Sequence, residues 1–159
     1  MVDQTKPAAA APSELDRVAA LLGGPRILRR QPESALDAHE LILKGLPARA
    51  LSHLMGELIV LEPTTSLGKA IGMSLRTYQR HSGGKTRPLS AEQSSRTWKF
   101  AEILAKATTI FGTQAEAEAW LQRPAIGLDQ RRPIDLLSTP AGVELVEDHL
   151  QRLEYGVYA

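Results

Sequence analysis

The stretch from Ala91 to Phe111 constrains this chain more than any other. It runs without a proline or a glycine, and Ser90 stands where a cap is needed. Trp98, Ala101, Leu104, Ala105, Thr108 and Phe111 fall on one helical face, and Phe100, Ile103, Ala107 and Ile110 on a second. A helix that is apolar on two sides must be covered on both. It predicts the central post of an all-α protein. Composition agrees: aromatic residues are only 4%, helix formers dominate, and alternating Val/Ile/Thr runs are missing. The 159 residues suit one ordinary domain, or two small ones sharing a core.

Punctuation on either side predicts the remaining helices. Ser13 can cap a helix from Glu14 to Leu22, which Gly23-Gly24-Pro25 would stop. Asp37 with Glu40 reads as a capping box for a helix ending at Gly45, and Pro47 suits the first turn of the next. Gly112 ends the long helix, and Thr113 with Glu116 opens another that runs to about Gln122. Residues 124–133 read as a loop. Thr139-Pro140 starts a last helix closed by Gly156, with Val143, Val146, Leu150 and Leu153 at 3-4-3 spacing. Residues 1–13 read as a disordered tail and 14–36 as an N-terminal helix and linker.

Residues 67–80 carry the chemistry. A helix-turn-helix needs a small residue where its helices cross, a residue that makes the turn, and a capped second helix with one face inward. Gly68 or Ala70 supplies the small position, Gly72 the turn and Ser74 the cap, while Met73, Leu75 and Tyr78 can point to the core. Arg76, Thr77, Gln79 and Arg80 are left outward. Arg can hold guanine, Gln can hold adenine, and Ser or Thr can meet a phosphate or a thymine methyl. Charge supports this reading. Residues 1–90 carry a net +4 and residues 91–159 a net −3, and no acidic residue lies between Pro63 and Ala91. That stretch also holds Lys69, His81, Lys85 and Arg87. Such a patch attracts phosphate backbones. A solvated arginine face on an ordinary hairpin is the bland alternative.

The segment Leu67…Gly72-Met73-Ser74…Arg76-Thr77-Tyr78-Gln79-Arg80, followed by Leu89-Ser90-Ala91-Glu92-Gln93-Ser94-Ser95-Arg96, resembles the helix-turn-helix of the Xre/ParS antitoxins. Phe111-Gly112, Ala119-Trp120-Leu121, Pro124, Arg132-Pro133-Ile134-Asp135-Leu136-Leu137 and the final Gly142…Glu154-Tyr155-Gly156-Val157-Tyr158-Ala159 resemble their toxin-binding part. The resemblance covers roughly residues 40–159. It implies a DNA-binding half at 37–88, a connecting helix at 89–112 and a toxin-binding half at 113–159. It further implies an antitoxin that masks an NAD-consuming RES-domain toxin and binds its own double-stranded operator through Ser74, Arg76, Thr77, Gln79, Arg80, Lys85 and Arg87. Glu154, Tyr155, Val157, Tyr158 and Ala159 would meet the toxin. The tail offers a ring and a carboxylate to a pocket built for NAD. Specific operators usually come as two half-sites, so a homodimer is expected, with the 143–153 stripe as a possible seam. Two departures stand out. Gly68 replaces the family's usual Ala, at a helix-propensity cost of about 0.5–1 kcal/mol. Ala125 stands where Asn is common.

Other signals carry less. Gly83-Gly84-Lys85-Thr86 lacks the earlier glycine of a phosphate-binding loop and is read as a basic wing. The histidines, His39, His53, His81 and His149, are scattered, and there is no cysteine, so neither a metal nor another cofactor is expected. Trp98 and Trp120 read as core. Glu144, Glu147 and Asp148 form an acidic face, either solvated or partner-facing. The expectation is a cytoplasmic protein with no enzyme activity, no membrane association and no small-molecule substrate. A stand-alone transcriptional regulator with a dimerising C-terminal half, and an interaction module that has lost DNA binding, remain as rival readings.

Overall fold

The computed structural model describes residues 10–82 and 87–156, without the side chains of Leu75, His81 and Ser82. Helix α7, Ala91–Phe111, forms the predicted post. Ser90 accepts from the backbone of Gln93 at 3.1 Å, and Gln93 answers on the Ser90 N–H at 3.3 Å. Trp98, Phe100, Ala101, Ile103, Leu104, Ala105 and Ala107 are all buried, so both apolar faces are covered. Helices α1 (Glu14–Leu21), α3 (Ala35–Lys44), α5 (Thr65–Ile71), α8 (Gln114–Leu121) and α10 (Pro140–Glu154) pack around it. Among the described residues there is no strand, only one bridge between Ala125 and Arg131.

Three local expectations change. Gly23-Gly24-Pro25 ends α1 but also opens a short α2, Gly24–Leu28, because proline fits the first turn of a helix. The next helix is capped by Ser34, whose hydroxyl accepts from Asp37 N at 3.2 Å, rather than by Asp37. Asp37 and Glu40 instead receive Arg30. The loop after Pro124 contains a 3-10 turn, Ile126–Leu128, and a short helix α9, Pro133–Leu136. Helix α4, Ala48–Glu57, follows Pro47 as expected. Along α10, Val146 and Leu150 are fully buried, with Val143 and Leu153 packed against the chain's own core. The 143–153 stripe therefore fills the interior and is not available as a dimer seam.

One core runs through the whole described chain. Glu118 on α8 makes the clearest tie between its ends. The side chain is 0% exposed, yet it accepts from Ile59 N at 2.8 Å, Val60 N at 3.0 Å and Leu61 N at 2.9 Å. Gln114 donates to it as well, at 2.8 Å. These charge-assisted bonds hold the loop that leads from α4 into α5.

Candidate nucleic-acid interface and partner surface

Helix α5 and helix α6 (Leu75–Ser82) form the helix-turn-helix. Thr64 caps α5, and Gly72 ends it in the left-handed region at φ 71°. The Met73 N–H reaches back to the Gly68 carbonyl at 2.9 Å and the Gly72 N–H to Lys69 at 3.3 Å, a Schellman closure. The small residue at the crossing is Gly68. A Cβ built there would stand 2.8 Å from the Met73 carbonyl oxygen, in contact with backbone that has no rotamer to yield. The missing Ala is thus a condition of this tight turn and not simply a weaker helix.

Ser74 opens α6. Its hydroxyl accepts from Thr77 N at 3.1 Å and lies 2.9 Å from the Thr77 hydroxyl. Both hydroxyls are committed to the cap, so their first task is to set the start of α6. Met73 is buried, and Tyr78 packs partly against the core. Arg76, Gln79 and Arg80 are exposed, as is Arg87 beyond the helix. The outward face expected for groove contact is therefore formed by side chains able to donate. Lys85, and the wing at 83–86, lie outside the described residues.

A second exposed surface lies on the far side of the sequence. Within residues 106–156, Ile126 is 83% exposed, Leu145 55% and Tyr155 72%. Leu145 lies on a stripe of α10 with the exposed Asp148 and Arg152, and Tyr155 caps the helix at the end of that stripe. Beside them His149 stacks on Trp120, with centroids 6.1 Å apart and planes at 11°, and covers Gly127 next to Ile126. Burial, with Arg152 nearby, holds the His149 pKa below its ordinary value. Of the expected toxin contacts, Tyr155 is exposed, while Glu154 lies 3.9 Å from Lys106. Val157, Tyr158 and Ala159 lie outside the described residues. Sequence reading did not single out Ile126 or Leu145. Leu145 was legible only as an apolar residue off the buried 143–153 stripe, and Ile126 carried no signal at all. Trp98 and Trp120 are core residues as expected. Of the acidic face, Glu147 pairs with Lys99 at 2.8 Å, while Glu144 and Asp148 stay exposed.

Two junctions join the surfaces. Ser66 on α5 donates to Asp135 on α9 at 2.8 Å, and Arg132 binds both, at 2.9 Å to Ser66 and 2.8 Å to Asp135. The hydrogen bonds from Arg132 hold the Asp135 carboxyl below the usual carboxylate range, helped by Ser66. The second junction is Arg96 of α7, which reaches carbonyls on both α5 and the α9–α10 turn.

Fold and site together define a helix-turn-helix protein with a second helical region packed onto the same core. Residues 37–102 match the Antitoxin Xre-like helix-turn-helix domain, and residues 106–156 match the Antitoxin Xre/MbcA/ParS C-terminal toxin-binding domain. The chain is similar to Antitoxin Xre of Photorhabdus laumondii, 31% identical over 87 residues, covering 54% of this chain and 58% of that protein. It is 33% identical over 100 residues to Antitoxin Xre of Yersinia enterocolitica, covering 61% of this chain and 66% of that one. A Pseudomonas putida Antitoxin Xre is 31% identical over 72 residues, covering 45% of each. The matches thus span about half to just under two thirds of these relatives. The two matches lie in tandem and together span most of the chain, in the order helix-turn-helix then toxin-binding domain, and each of these relatives is an Antitoxin Xre.

Proposed function

We propose that this chain neutralises a RES-domain, NAD-consuming toxin through its C-terminal region and represses its own operon through α5–α6. The observation that carries the reading is the placement of two different exposed surfaces on one core. One is an acid-free helix presenting Arg76, Gln79 and Arg80; the other is a mixed surface on which exposed Ile126, Leu145 and Tyr155 stand among charged side chains such as Asp148 and Arg152, in the region that matches a toxin-binding domain. Cationic and amide side chains suit phosphate and base edges. Aromatic and aliphatic side chains suit the dry centre of a protein interface.

On this reading Ser74 and Thr77 set the recognition helix, Arg76, Gln79 and Arg80 read the groove, and Lys85 and Arg87 meet phosphates. Tyr155, with Glu154 behind it and Val157, Tyr158 and Ala159 beyond, enters the toxin's active site. Chemistry on NAD belongs to the toxin. The protein binds DNA as a homodimer and works in the cytoplasm; no helix among the described residues is long and apolar enough to cross a membrane. Co-expression with the product of a neighbouring RES-domain gene tests the pairing. A stable complex that purifies without NAD-consuming activity is expected. Two proteins that purify apart, with the toxin active, would leave a stand-alone regulator as the better account.

A further inference from the structure

The side chain of Arg96 touches three parts of the molecule at once. Its Nη1 donates to the Lys69 carbonyl in the last turn of α5 at 3.2 Å and to the Ser138 carbonyl, just before α10, at 3.3 Å. Its Nη2 stands 3.7 Å from Glu92 on its own helix. Its aliphatic stem lies over the turn of the helix-turn-helix, so closely that a Cβ on Gly72 would be 2.4 Å from the Arg96 Cδ. One guanidinium therefore caps the negative end of α5, covers the turn into α6, and is anchored to the turn that starts α10. The two hydrogens of Nη1 serve the two carbonyls and are fixed in the guanidinium plane, while Nη2 is left to face Glu92. Beside it, a cleft of about 390 Å³ floored by Ala70, Phe100, Ile103, Leu137 and Val143 separates α5 from α10, so packing there is incomplete and the polar bridge spans the gap.

We infer that Arg96 is a positioning residue for DNA recognition, through which the state of the α9–α10 turn is felt at α6. This rests on the reading that α6 enters a DNA groove. Arg96 makes no DNA contact in this account, and it acts by fixing the pitch of the recognition helix against the partner-binding region. Displacement of Ser138 by a bound partner would then alter operator affinity without touching the DNA-facing side chains.

The test uses the full chain and two probes: the duplex upstream of its own gene, and an unrelated duplex of equal length. Arg96→Met keeps the stem and removes both carbonyl bonds. It should weaken binding to the upstream duplex about tenfold, leaving affinity for the unrelated duplex and its salt dependence as in wild type. Thr139→Ala loosens the start of α10 by deleting the cap that accepts from Gly142 N at 3.0 Å. It should weaken upstream binding about threefold in wild type and add nothing in the Arg96→Met background, since the transmitting link is already gone. Losses that multiply, or an Arg96→Met protein that discriminates as well as wild type, would overturn the proposal. So would a salt slope lowered by about 0.9, which would make Arg96 a phosphate contact. Arg96→Leu, which has no donor and keeps part of the aliphatic cover over Gly72, carries the same test if the methionine variant does not fold. Arg76→Ala serves as the control. If it too binds like wild type, α6 is not the reading helix, and it is the underlying DNA reading that has failed.

Discussion

Single residues decide two features of this molecule that ordinary propensities would have set differently. Gly68 is a poor helix residue, yet its carbonyl and its bare Cα accommodate the Met73 backbone. Gly68→Ala should gain about 0.5–1 kcal/mol of helix propensity and lose about 1–3 kcal/mol to forced displacement in a packed turn. The thermal midpoint should therefore fall, and a rise would show that the turn relaxes freely. Glu118 is the opposite case, a buried charge whose partners are backbone N–H groups. Glu118→Ala strands three of them at about 1–3 kcal/mol each, so denaturant unfolding should show a loss of about 3 kcal/mol or more. A change under about 1 kcal/mol would mean that water takes over the loop. His149 gives a pH dependence. Its folded pKa lies below the unfolded value of 6.5, so the unfolded chain takes up the proton more readily. Stability is complete above that value and falls as pH drops through it toward the folded pKa. His149→Phe should flatten this part of the profile, and an unchanged slope would assign it to another group. The Gly68 clash and the Glu118 bonds both involve backbone distant in sequence or folded back on itself, and so neither was legible in the sequence.

At the scale of elements, caps were the most readable signals. Ser13, Ser90, Thr113 and Thr139 open the helices they were expected to open, because a hydroxyl followed by a free N–H three residues on is a local bond. The same logic placed Gly72 and Ser74 in the turn before α6. It failed at Asp37, where a better-placed hydroxyl at Ser34 took the cap and left the carboxylates to Arg30. It also missed α9, only four residues long, which is held by packing on α5 and by the Arg132–Asp135–Ser66 bonds more than by its own turns. The recognition helix supplies its own prediction. Arg76→Ala or Arg80→Ala should each cost about 1–3 kcal/mol of operator binding if the guanidinium pairs with a base, and should relax specificity at one position. Lys85→Ala or Arg87→Ala should weaken all sequences alike and lower the salt slope by about 0.9 for each lost phosphate contact. Gel-shift titrations separate the two patterns, and an Arg76/Arg80 double variant that binds like wild type would remove α6 from the groove.

At the scale of the whole molecule, the uneven charge makes physical sense. The net +4 of residues 1–90 and the net −3 of residues 91–159 put the basic helix-turn-helix in one half of the chain and an acidic, partly apolar α10 in the other. Between them α7 and the Glu118, Asp135 and Arg96 junctions leave a continuous core, so an event at α10 reaches α5 through fixed side chains. The sequence resemblance placed both regions in order, but it could not show that they share these bonds. The most direct measurement is rescue of cells that express a RES-domain toxin encoded beside this chain, with growth and cellular NAD followed together. The full chain should restore both, and a chain stopped after Leu153 should restore neither while still shifting operator DNA. Cells that keep losing NAD in the presence of the full, soluble chain would contradict the central claim.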